Sequence, residues 1–98
     1  MRQDVKNNAT SRQLAAQKNL GSTLWTLGRR DEALDAYKKA LRAEPRHAFA
    51  NYNMGDSLVK MGRHKEALGY LKDALKAKPD YAGAAFVMGL AYAGLGER

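Results

Sequence analysis

Apolar positions along this chain fall into a helical rhythm that is broken and restarted at regular places. Leu20, Leu24 and Leu27 recur at offsets of four and three, which places them on one side of a helix. Gly28 then ends the pattern, as a glycine just past a helix C-terminus does. Ala33, Leu34, Tyr37, Ala40 and Leu41 follow at offsets 0, 1, 4, 7 and 8, an apolar stripe of period 3.6. Pro45 and Pro79 follow helix ends and sit where the next helix opens. The pattern predicts helices over residues 12–27, 30–43, 47–61, 64–77 and 81–95. No alternating apolar–polar run competes for a strand. The short connections predict antiparallel neighbours.

The restart has a fixed period. Gly21, Gly55 and Gly89 are spaced by 34 residues, as are Gly28, Gly62 and Gly96, and so are Pro45 and Pro79. Residues 14–47 aligned with 48–81 agree at fourteen of 34 positions, among them Asn19/Asn53, Arg29/Arg63, Glu32/Glu66, Ala33/Ala67 and Ala40/Ala74. That density over a whole unit marks a stacked repeat rather than chance composition. The expected organisation is a polar lead-in over 1–13, units at 14–47 and 48–81, and a half unit over 82–98 holding a first helix alone. Gly21, Gly55 and Gly89 lie inside helices, where glycine costs about 1 kcal/mol against alanine. Recurring once per unit, they imply a close helix crossing that admits no side chain, with the paired alanines serving a second crossing.

These positions resemble the tetratricopeptide repeat. Leu20-Gly21, Leu24, Ala33, Tyr37, Ala40 and Pro45 follow the family pattern, Met54-Gly55, Leu58, Ala67, Leu71, Ala74 and Pro79 follow it again, and Met88-Gly89 and Tyr92 begin a third match. Gln17, Asn51 and Ala85 stand where the family prefers tryptophan. The resemblance covers residues 14–98 and implies an all-α fold, a right-handed superhelical stack of antiparallel helix pairs. It implies a concave groove lined by the first helix of each unit, holding an extended peptide or a helix.

On that groove face the expected ligand contacts are Lys18, Asn19, Ser22 and Trp25 in the first unit, Phe49, Tyr52, Asn53, Asp56 and Lys60 in the second, and Phe86 in the third. Asn19 and Asn53 are equivalent, and a side-chain amide both donates and accepts. The pair resembles the asparagine ladder of arrays of the O-GlcNAc transferase type, with two rungs, since Val87 takes the third position. The alternative role for both is to tie neighbouring helices together. The aromatics offer large contact area at low entropic cost; the alternative for them is core packing. The carboxylate clamp of chaperone-binding members is not expected. Lys18 and Asn53 fill two of its positions, but Ser22, Gly83 and Val87 replace an asparagine, a lysine and an arginine.

Composition narrows the remaining readings. Seventeen lysines and arginines against ten acids give a net charge of +7. Lys38, Lys39, Arg42, Lys72, Lys76 and Lys78 fall on the second helices without interleaved aromatics, a solvated surface rather than a nucleic-acid footprint. There is no cysteine, so disulfides and thiolate metal sites are excluded. No apolar run reaches membrane-spanning length, and residues 1–12 lack the apolar core of a signal peptide. A cytoplasmic protein is expected. No catalytic constellation, cofactor or metal site is expected: His47 and His64 read as helix-terminal polar residues, and Gly94-Leu95-Gly96 lacks the Lys-Ser or Lys-Thr of a phosphate loop. Residues 81–95 carry no charge. That helix cannot form a polar cap, so the sequence is expected to be a fragment of a longer array, with self-association through Val87, Met88, Leu90, Tyr92 and Leu95 as a second reading.

Overall fold

The computed structural model describes residues 19–96, and every regular element among them is a helix. Residues 19–26 belong to α1, whose start lies outside the described residues. Then follow α2 (Arg30–Ala43), α3 (Ala48–Lys60), α4 (His64–Ala77) and α5 (Ala82–Gly94). The chain divides between Pro45 and Arg46 into two compact units, the first with α1 and α2, the second with α3, α4 and α5.

Each helix pair is joined by the same turn. Gly28 and Gly62 have φ of 82° and 79°. The amides of Gly28 and Arg29 donate to the carbonyls of Trp25 and Leu24, and those of Gly62 and Arg63 donate to Val59 and Leu58, at 2.8–3.0 Å. This is the doubly bonded left-handed closure that satisfies carbonyls at a helix C-terminus. The residue after each glycine then opens the next helix, where Arg29 chelates Glu32 and Arg63 chelates Glu66 through paired guanidinium–carboxylate bonds. A left-handed backbone disfavours any Cβ, so Gly62→Ala is expected to destabilise the chain by about 1 kcal/mol, read as a lowered denaturation midpoint.

In the first unit Gly21 and Leu24 of α1 are buried, with Ala33, Leu34, Ala36, Tyr37 and Ala40 of α2. A Cβ on Gly21 would stand 2.5 Å from the Tyr37 ring. The expected Leu20/Leu24/Leu27 stripe is corrected here. Leu20 and Leu27 are exposed, because the glycine's own face, one residue beyond Leu20, meets α2 and Leu27 already belongs to the closing turn.

The second unit repeats the arrangement. Ala50, Asn51, Met54, Gly55, Ser57 and Leu58 of α3 are buried, with Ala67, Leu71 and Ala74 of α4. A Cβ on Gly55 would lie 2.6 Å from the Leu71 side chain and 3.4 Å from the Ala67 carbonyl oxygen. In α5, Ala84, Val87 and Ala91 form the buried stripe, facing α4 and α3. Gly89 departs from its two equivalents: nothing lies within 4 Å of the place its Cβ would take.

Candidate functional site

In the first unit, Asn19 and Ser22 are exposed and Trp25 is half-buried. The Ser22 carbonyl accepts the Thr26 hydroxyl at 3.0 Å. The Arg30 guanidinium sits 5.2 Å from the centre of the Trp25 ring, a cation–π contact between helix end and helix start. Lys18 lies outside the described residues.

In the second unit, α3 brings Phe49, Tyr52, Asn53, Asp56 and Lys60 onto adjacent turns, at offsets that fall on one broad side of a helix. Phe49 is 46% exposed, so it belongs to a surface rather than to the core. Its ring stacks on Tyr52 with centroids 6.5 Å apart, and Tyr52 meets Tyr81 at 5.0 Å. Tyr81 is the cap residue of α5 and carries the Lys78 ammonium 5.4 Å from its own ring centre. Gly83 leaves space for this cluster, since a Cβ there would come within 3.3 Å of the Tyr52 ring. Tyr81 is absent from the residues that sequence pattern nominates. Its signal is its place before a helix start, with a glycine two positions on.

Burial raises the Tyr52 hydroxyl above its ordinary pKa of 10.0; the Asp56 carboxylate pushes the same way and Lys60 opposes. Tyr81 is raised too, by burial first and by Tyr52 second. A raised folded-state pKa favours the protonated, folded chain. This contribution is present below pH 10 and lost as pH climbs from there through the folded values. Tyr52→Phe is therefore expected to flatten the alkaline fall in stability, measured as denaturation midpoints between about pH 8 and 11.5.

The Lys60 ammonium is 3.1 Å from the Asp56 carboxylate one turn earlier. Two of the expected groove residues thus pair with each other. Asn53 is half-buried, and its amide nitrogen is shielded from solvent with no hydrogen-bond partner. Two residues earlier the Asn51 amide donates to the His47 carbonyl at 3.2 Å, within the first turn of α3. On α5, Phe86 is 69% exposed, an aromatic ring presented to solvent.

Val87 requires a correction. It is 3% exposed, because the Ala84–Val87–Ala91 stripe turns it into the packed side of α5, so it is available neither to a groove ligand nor to a second copy. Met88 and Tyr92 are half-buried, while Leu90 and Leu95 are exposed. His47 caps α3 by accepting the Ala50 amide at Nδ1, and His64 opens α4 with its ring against Gly94. Among the described residues no group of three or more histidines and acids could hold a metal, and no helix is long and apolar enough to cross a membrane. Lys38, Lys39, Arg42, Lys72, Lys76 and Lys78 are all exposed. The site offers aromatic faces, an unpaired amide and a neutralised charge pair, groups suited to non-covalent recognition.

The family model described as tetratricopeptide repeat matches residues 24–85. No curated protein matches the sequence. Among solved structures, the first TPR of Spaghetti (RPAP3) bound to HSP90 peptide SRMEEVD is 24% identical, with a TM-score of 0.83 over 87% of this chain and 68% of that one. The second TPR of Spaghetti (RPAP3) bound to the same peptide is 21% identical, with a TM-score of 0.87 over 97% and 83%. A MamA RS-1 ArsTM double mutant is 32% identical, with a TM-score of 0.80 over 86% of this chain and 47% of that one, so the chain spans about half its length. The chain has the helical-repeat solenoid fold of these structures.

Proposed function

The chain belongs to the tetratricopeptide repeat family, and from that premise we propose that it is a protein-interaction module that holds an extended peptide or a helix on the face carried by its first helices. The observation that carries this reading is Asn53. Asn53 is half-buried on the same side of α3 as Phe49 and Tyr52, with an amide nitrogen that has no hydrogen-bond partner, and a turn about its Cβ–Cγ bond would present that donor to a bound peptide carbonyl. Phe49, Tyr52 and Phe86 supply apolar contact around it. Asn19, exposed at the equivalent position of the first unit, adds a second amide able to pair with backbone of any sequence. The two-rung asparagine ladder is part of this proposal.

The test is selection of twelve-residue peptides from a displayed random library, followed by titration of the winners. The combined Asn19→Ala and Asn53→Ala variant is expected to lose more than tenfold in affinity with its helical circular dichroism intact. Undiminished affinity would sink the amide role. The peptide SRMEEVD, bound by the two Spaghetti domains, serves as a control. It is expected to bind here no tighter than about 1 mM, since Gly83 and the buried Val87 replace the clamp's cations.

A further inference from the structure

Three aromatic rings form a row from the first turns of α3 to the start of α5. Phe49 and Tyr52 are tilted by only 24° with centroids 6.5 Å apart, and Tyr52 continues the row to Tyr81 at 5.0 Å. These rings are not core: Phe49 is 46% exposed and both tyrosines are half-buried. Gly83 keeps the row in place, since a methyl there would press on the Tyr52 ring at 3.3 Å. Asn53 follows Tyr52 directly and lies four residues from Phe49, so its amide shares the side of α3 that carries the rings. The orphaned atom there is a donor, Nδ2. The carboxylate that the same side offers as an acceptor, Asp56, is engaged by the Lys60 ammonium at 3.1 Å. The face offers a ligand flat apolar rings and an N–H donor, and withholds its carboxylate.

We propose that this face takes a proline-bearing segment of another protein in the polyproline II conformation, with proline rings laid on Phe49 and Tyr52 and a backbone carbonyl accepting from the Asn53 amide. The assignment rests on the groove reading above and narrows it to one ligand class. Backbone chemistry separates the candidates. A helix has its carbonyls bonded within itself and offers Asn53 none except at its C-terminal end. A β-extended ligand brings one N–H for every carbonyl, and Asp56 is already engaged. A polyproline II segment has no internal hydrogen bonds, so its carbonyls project outward and stay open to a donor. Every proline in it also removes an N–H that the face would leave unpaired. Its φ is fixed beforehand, so little backbone freedom is lost on docking. Aromatic-lined surfaces are the ones on which such segments settle.

The probes are three fluorescein-labelled peptides, titrated by anisotropy against the 98-residue chain. One is four repeats of Pro-Pro-Ser, one is four repeats of the strand-forming Thr-Val-Ser, and one is three repeats of the helix-forming Glu-Ala-Ala-Ala-Lys. Saturable binding of the proline peptide is expected, about tenfold or more tighter than either of the others. Phe49→Ala and Asn53→Ala are each expected to weaken it about fivefold or more with helical circular dichroism intact, while Phe49→Trp, which keeps an aromatic face at that exposed site, retains it. A strand-forming or helical peptide that binds as tightly, proline binding indifferent to both Phe49→Ala and Asn53→Ala, or no saturation by the proline peptide below about 1 mM overturns the assignment. The library selection separates this result from the groove reading. Winners that lack proline and lose affinity with the combined Asn19→Ala and Asn53→Ala variant leave the groove standing with another ligand class, whereas a selection without winners removes both.

Discussion

Gly55→Ala is expected to destabilise the chain by about 1–3 kcal/mol, the cost of forcing a methyl group into a packed core. The methyl would enter space held by the Leu71 side chain at 2.6 Å and the Ala67 carbonyl at 3.4 Å. Leucine can shift only within a closed interface, and the backbone carbonyl cannot move aside. Alanine's helix preference returns about 1 kcal/mol, so the packing clash sets the sign but not by a wide margin. Gly89→Ala isolates that return. With nothing within 4 Å, it is expected to stabilise by about 1 kcal/mol. The same substitution at equivalent positions thus acts with opposite sign, a result no helix-propensity scale can produce. Leu71→Ala, which empties a fully buried position, should cost about 2–5 kcal/mol. Combined with Gly55→Ala it should cost about 1–3 kcal/mol less than the two separately, because the new methyl then enters vacated space. Urea midpoints of the four chains decide it, and strict additivity would mean that Gly55 and Leu71 do not share the interface.

Asn53→Ala is expected to separate stability from binding. No hydrogen bond to the amide nitrogen is lost on truncation, since it has none. Removing an unsatisfied shielded group relieves a desolvation cost, and alanine is the better helix former. The variant should therefore unfold about 1 kcal/mol later than the parent. Peptides selected on the parent should bind it at least tenfold more weakly. A neutral contrast is available two residues earlier: Asn51→Ala removes a bond to the His47 carbonyl from a buried position and should destabilise instead. If Asn53→Ala lowers stability, the amide has a structural partner and the groove reading loses its strongest support.

Much of the architecture was legible because it is punctuated by residues with no substitutes. The left-handed glycines at 28 and 62 and the prolines at 45 and 79 mark helix ends, and α2 and α4 begin and end where the apolar stripe predicts. Other details depend on neighbours that periodicity does not identify. Leu20 and Leu27 fit an apolar stripe but are exposed, since a glycine, invisible to any hydrophobic count, holds the buried position beside Leu20. Val87 reads as surface by analogy with Asn19 and Asn53, yet on α5 the side facing α4 and α3 includes it. The aromatics of α3 were legible as a group, whereas Tyr81 joins them through space from across a turn. Gly89 holds the same place in the repeat pattern as Gly55, yet only the place of a Gly55 Cβ is occupied, by Leu71.

The sixteen-residue reach from Gly55 to Leu71 has a bearing on synthesis as well. The turn bonds of Gly62 and Arg63, the Arg63–Glu66 chelate and the seating of Leu71 over Gly55 all lie between Gly55 and Leu71. Contacts this local close quickly, on the microsecond-to-millisecond scale typical of helical folds, whereas a ribosome adds about 5–20 residues per second. The α3–α4 hairpin can close as soon as its last turn leaves the exit tunnel. The nascent chain then holds its notch at Gly55 already filled while α5 is still inside the tunnel.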